Sequence, residues 1–240
     1  MDARTDVLAD LARQLARQAP ELQLAVRLCN AANDLLGVDG SSITVAYTTP
    51  DRVTVCSTDE RAARLEDLQD VLGQGPGSLA YTSGHAVHAT LDDATDPRWP
   101  EFSAAVRHQV GAIEIDAFPM RLDHEVLGVL TCHRDTEHPL LLALDRAQFL
   151  ANAVGVALLR DPESRRPWDD QGSRGSWSSR ATIHQATGMV VAQLHVTPDD
   201  ALVLLRAHAF AQESDLQSIA QAVLNRDLDF RYDDDEEGHS

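Results

Sequence analysis

The chain has 240 residues with 38 acidic side chains against 20 basic ones, a formal net charge of −18, and 43% hydrophobic residues. That length and apolar content suffice for one large or two modest cores, and the acidity excludes a globally basic nucleic-acid binder, so any contact with phosphate must rest on a local patch. Three cysteines, Cys29, Cys56 and Cys132, are too few and too scattered for a disulfide framework or a cysteine-rich zinc site, and no run approaches the roughly 20 apolar residues of a membrane span, so a cytoplasmic protein is expected.

Residues 3–36 carry helical apolar spacing broken at Ala19-Pro20, with Leu22, Val26, Cys29 and Leu36 on the apolar faces. Residues 42–47 and 52–56 read as a strand pair around Thr49-Pro50-Asp51, and 59–72 returns to helical periodicity through Ala62, Leu65, Leu68 and Leu72. Gly73, Gly75 and Gly77 precede a short helix through Leu79 and Ala80. The segment GQGPG lacks the Lys-Ser/Thr ending with which a phosphate loop reaches phosphate and magnesium, so a turn is expected there. A small strand at 85–88, a helix at 98–108, two longer strands at 112–121 and 125–133 and a closing helix at 141–159 follow.

Within this part Cys132-His133 is expected to be a core cysteine beside a surface histidine, and His85 and His88 ordinary edge residues. The ten histidines form no HExxH and no i, i+4 pair on one helix, so no metal site is expected. Cys29 on a helix and Cys56 and Cys132 on separate strands are not expected to cluster, which leaves a thiol enzyme as the weakest functional reading. No Ser-His-acid set or carboxylate pair stands out by spacing.

Residues 161–177, DPESRRPWDDQGSRGSW, combine Pro, Gly, Ser and charge and read as a flexible linker. Beyond them Ile183, Ala186, Val190 and Leu194 make one apolar helical stripe, and Thr197-Pro198-Asp199-Asp200 opens a second helix with a threonine cap, proline at the first position and acids at the positive dipole end. Ser214-Asp215-Leu216-Gln217 reads as a capping box for a third helix with Leu216, Ile219, Ala220, Val223 and Leu224 on its buried face. Gly188 inside the first helix is expected where another backbone comes close. Five consecutive acids, 233–237, form a solvated tail.

Two resemblances follow from these residues. The segment GQGPGSLAYTSG at 73–84, the stretch from Asp92 through Trp99-Pro100 and Phe102, Phe118-Pro119-Met120 and Leu127-Gly128-Val129-Leu130 resemble a GAF domain over roughly residues 20–160. Gln185-Ala186-Thr187-Gly188, Ala201, Leu205-Arg206, Ala209 and Ile219-Ala220 resemble the ANTAR domain, a three-helix RNA-binding module of bacterial antitermination regulators, with wording similar to actinobacterial members.

The resemblance implies an α+β chain: an N-terminal GAF sensor with an antiparallel sheet flanked by helices over 1–160, a linker at 161–177, an all-α three-helix ANTAR domain at 178–232 and an acidic tail at 233–240. It implies a non-enzymatic transcription regulator, a homodimer without membrane contact, whose ANTAR module binds hairpins in nascent RNA to cause antitermination. A small-molecule ligand of the GAF domain, of unspecified identity, would be lined by Trp99, Phe102, Met120 and Val129. Candidate RNA contacts are the polar positions Arg180, His184, Gln185, Arg206, His208 and Arg226, with His208 and neighbouring Phe210 as a stacking surface. Between 178 and 231 four arginines face six acids, so a protein-interaction module without RNA affinity stays open as the alternative.

Overall fold

The computed structural model describes residues 3–48, 51–92, 96–135, 138–161, 176–212 and 214–230. The chain divides into two compact units, one made chiefly of the residues up to Asp170 and the other of Gln171–Ser240. In the first, helices α1 (Ala3–Arg17) and α2 (Leu24–Leu36) precede strands β1 (Gly40–Thr48) and β2 (Asp51–Ser57). Helices α3 (Glu60–Leu72) and α4 (Pro76–Ser83), strand β3 (Val87–Leu91), helix α5 (Pro100–Gln109), strands β4 (Ile113–Leu122) and β5 (Glu125–Arg134) and helix α6 (Leu144–Arg160) complete it. The five strands form one antiparallel sheet in the order β2-β1-β5-β4-β3.

Strand register decides what each face carries. Ile43 pairs with Leu130, which pairs with Phe118, so these three side chains rise from one face of the sheet and meet Leu28, Ala32 and Leu36 of α2 and Leu150, Ala151 and Val154 of α6 in the main apolar core. Met120 belongs to the same face. A Cβ added to Gly155 of α6 would stand 2.7 Å from Met120 Cβ, and one on Gly128 of β5 would stand 2.2 Å from the Thr44 carbonyl oxygen, so both glycines permit close packing that no side chain fits. The opposite face is covered by α4, and α5 packs on β3. Pro76 opens α4 at its first turn after Gly75, whose φ of 140° only glycine adopts at ease, so the glycine-rich segment is a turn into a helix.

The second unit contains α7 (Ser176–Leu194), α8 (Pro198–Ala211) and α9 (Leu216–Asn225). Ala186 and Val190 of α7, Ala201, Leu205 and Ala209 of α8 and Leu216, Ile219, Ala220 and Val223 of α9 are buried together. Thr197 caps α8 by accepting from the Asp200 amide, with Pro198 at the first position. At α9 the cap falls one residue later than the expected box: Asp215, not Ser214, accepts from the Ser218 amide at 2.8 Å. Gly188 is exposed, and a Cβ there would meet nothing within 4 Å, which overturns the expectation of close backbone packing. The α7 helix begins inside the stretch expected to be linker, whose residues 162–175 lie outside the described ones, as does the acidic tail.

Candidate functional site

Three arrangements carry chemistry. The first is a polar layer on the α4-covered face of the sheet. Ser42 pairs with Thr131 and Thr44 with Val129, which puts their side chains on the face opposite Met120. Glu66 of α3, buried, accepts a hydrogen bond from Ser42 Oγ at 2.7 Å and one from Thr44 Oγ1 at 3.2 Å. One turn on, Gln69 Oε1 accepts from the Gly77 amide at 2.7 Å, fastening the start of α4 to α3. Asp59, the N-cap of α3, holds the Ala62 amide and stands within 3.1 and 3.2 Å of His133 Nε2. Its partial burial raises the carboxyl pKa, but the Ala62 amide, the Thr58 hydroxyl and His133 together draw it below the usual carboxylate range. Thr131 Oγ1 is buried with no hydrogen-bond partner among the described residues.

His133 thus departs from the expected surface histidine: it is 2% exposed, because β5 carries it inward opposite Gly40. A Cβ on Gly40 would lie 1.7 Å from Asp59 Oδ2, so glycine at that position makes room for the pair.

Trp99, Phe102, Met120 and Val129, expected to line one pocket, are all buried. Val129 shares the polar layer's face, Trp99 is the N-cap of α5 and Phe102 lies within that helix, and Met120 points the other way into the main core. The register explains the division, since Met120 pairs with Gly128, one residue from Val129, and neighbouring strand residues face oppositely.

Near the edge strand β3 an open groove is lined by His88, Glu114, Asp116, Arg134, Leu140 and Leu142. Its charges answer one another: Arg134 pairs with Glu114 and, at 3.2 Å, with Asp116, whose other oxygen lies 2.9 Å from His88 Nδ1. His88 is therefore more than a bare edge residue, since it ties the edge strand to Asp116 of β4.

The second arrangement is a thiol cluster. Contrary to the expectation of scattered cysteines, α2 brings Cys29 onto the sheet where β1 is flanked by Cys56 of β2, opposite Ile43, and Cys132 of β5, opposite Ser41. Positions 41 and 43 lie on one face, which sequence separation alone concealed. The neighbouring Cys56 thiol draws Cys29 below its usual range and Cys29 pushes Cys56 well above it, while burial raises Cys132.

The third lies on the helical unit. Gln185 and Arg226 are exposed and Arg206 and His208 half-buried, while the side chains of Arg180 and His184 lie outside the described residues. Arg226 closes α9 in the left-handed region at φ 65°. Residues two apart on a helix are turned by about 200°, so Arg206 and His208 face different ways. His208 bonds Gln212 at 2.7 Å and meets the Phe230 ring edge-on at 5.5 Å, not Phe210. Arg206 instead lies on the stripe of Val203 and Phe210, which are 59% and 50% exposed. The i, i+3, i+7 spacing of these three was the signal available in the sequence for a face that sets a half-buried arginine between exposed Val203 and Phe210.

The GAF domain family model matches residues 21–158. The chain belongs to the GAF family. The ANTAR domain model matches residues 174–224, so the polar layer and thiol cluster lie in a GAF domain and the Arg206 face in an ANTAR domain. Comparison with curated proteins gave no match. Among solved structures, the chain is similar to the GAF domain/HD domain protein from Geobacter sulfurreducens at 13% identity, covering 58% of this chain and 94% of that one with a TM-score of 0.43. It is similar to the GAF domain of a phosphoenolpyruvate-protein phosphotransferase from Coxiella burnetii at 14% identity, covering 65% and 92% with a TM-score of 0.43. It is also similar to the second GAF domain of DevS from Mycobacterium smegmatis at 16% identity, covering 60% and 96% with a TM-score of 0.40. GAF and ANTAR are sensory and regulatory domains, and among the described residues no helix is long and apolar enough to cross a membrane.

Proposed function

We propose that this protein is a cytoplasmic, homodimeric transcription regulator in which residues 1–160 sense a small molecule and the ANTAR domain, 178–232, binds RNA hairpins to cause antitermination. The observation that carries the reading is the union of GAF and ANTAR matches in one chain. On α8, Arg206 would clamp phosphate while Phe210 offers a ring for an unstacked loop base, and Gln185, Arg226 and the Arg180 and His184 positions would extend the contact. His208, held against Phe230, would position α8 against the segment after α9. In the GAF domain a small polar ligand would compete for Glu66 and satisfy Thr131, and in doing so would release α3 from the sheet. The segment between the domains, up to the start of α7, would act as a tether, and the tail at 233–240 as an acidic competitor for the same arginines.

Charge supports the second reading, a protein-interaction module without RNA affinity, because four arginines face six acids over 178–231. Titrating the full chain against RNA hairpins at several salt concentrations separates the two. Binding whose salt slope falls by about 1 on Arg206→Ala supports RNA recognition; absence of binding at low salt supports the interaction module.

A further inference from the structure

The thiols of the GAF domain stand outside this regulatory reading, and nothing in it uses them. Cys56 Sγ donates to the Ala25 carbonyl at 3.3 Å. Ala25 stands four residues before Cys29 on α2, so Cys56 is seated against the helical turn that carries Cys29. Cys29 Sγ in turn lies 3.4 Å from the Ser41 carbonyl and 3.5 Å from Ser41 Oγ. Ser41 is two residues along β1 from Ile43, the register partner of Cys56, so helix and strand both bring the two sulfurs together. Cys56 is partly exposed while Cys29 and Cys132 are buried.

We propose that Cys29 and Cys56 form a reactive dithiol, a modification site at which a hydroperoxide, hydrogen peroxide being the smallest, closes a disulfide between α2 and β2. The Cys29 thiolate, favoured by the neighbouring Cys56 thiol and by the Ser41 hydroxyl 3.5 Å away, attacks one peroxide oxygen. The O–O bond breaks, Cys29 becomes a sulfenic acid, and the leaving alkoxide or hydroxide takes the Cys56 proton. The Cys56 thiolate then attacks the sulfenic sulfur, an S–S bond forms, and the expelled hydroxide takes up the proton first lost from Cys29 and leaves as water. Two thiols are oxidised by two electrons and one peroxide is reduced to an alcohol, or water, plus water. Closing the disulfide to an S–S length of about 2.05 Å turns the two side chains toward one another across the α2–β2 contact. Cys132 lies opposite Ser41 on the far side and keeps its thiol.

The test uses full-length protein treated with hydrogen peroxide under native conditions, then alkylated, digested with trypsin and mapped by mass spectrometry. Cleavage at arginine places Cys29 in peptide 28–52, Cys56 in 53–61 and Cys132 in 122–134, so each pairing has its own mass. The expected result is a fall from three titratable thiols to one, with peptides 28–52 and 53–61 joined and separable by dithiothreitol, and the same linkage in Cys132→Ala. In Cys56→Ser no bridge forms and Cys29 proceeds to sulfinic acid. Because the wild-type map alone assigns the pairing, a variant that fails to fold leaves the test intact. A dominant bridge from 28–52 to 122–134, sulfinic acid on wild-type Cys29 without a bridge, or three unreacted thiols overturns the proposal. None of these readouts involves RNA, so failure here is distinct from failure of the regulatory reading.

Discussion

Asp59 and His133 are 74 residues apart in sequence, and their side chains meet at 3.1 Å with the start of α3 on one side and the central strand β5 on the other. Asp59 also caps α3, so one carboxylate anchors the helix both to itself and to the sheet. Together with Glu66 and Gln69 it fastens α3 and the entry to α4 to the polar layer through hydrogen bonds.

This anchor has a pH signature. The folded carboxyl titrates below an unfolded aspartate, whose pKa is about 3.9, so its contribution is fully present above about pH 4 and is lost as pH falls through the folded value. Asp59→Asn keeps a capping oxygen but removes the charge. Urea unfolding between pH 3 and 6 is expected to show a shallower acid-side loss of stability in the variant than in the wild type, whereas parallel profiles would mean the charge at Asp59 contributes nothing.

Gly128→Ala is expected to destabilise the GAF domain by about 1–3 kcal/mol, because the new methyl group meets the Thr44 carbonyl oxygen, a backbone atom that cannot swing aside, and the end of the Met120 side chain. Calorimetric or denaturant melts measure it. An unchanged midpoint would show that β1 and β5 separate freely at this point.

Gly188→Ala is expected to act in the opposite direction. The site is exposed, helical and open on its Cβ side, so alanine gains about 1 kcal/mol of helix propensity without a clash. A rise in the melting midpoint of the helical unit is the outcome; destabilisation would reveal a neighbour, such as a second copy, that requires the bare backbone.

The elements themselves were legible because their signals are local. Apolar runs bounded by the turn at Leu122–Glu125 announced β4 and β5, and the threonine cap with Pro198 announced α8. Small errors arose where two local solutions compete, as at α9, where Ser214 and Asp215 are both good caps and Asp215 takes the position. What the sequence concealed was set by register. Met120 and Val129 look like neighbours in a pocket motif, yet pairing on β4 and β5 sends them to opposite faces, while the pairing of β1 with β2 and β5, with α2 packed on that face, gathers Cys29, Cys56 and Cys132 from elements far apart in the chain. On α8 the two-residue spacing of Arg206 and His208 already implied divergent directions, while the partnership of His208 with Phe230 required the tertiary fold.

The central claim is RNA recognition through the Arg206 face of the ANTAR domain. Its most direct measurement is ultraviolet crosslinking of the full-length protein to RNA in its host, with sequencing of the bound fragments and with Arg206→Ala assayed alongside at equal expression and equal helical circular dichroism. The account predicts hairpin-forming sequences ahead of terminators, enriched with wild type and at least about tenfold depleted with the variant, a loss of the size expected when a phosphate-binding arginine is removed. Equal RNA recovery from both proteins, or none above background from the wild type, would contradict it.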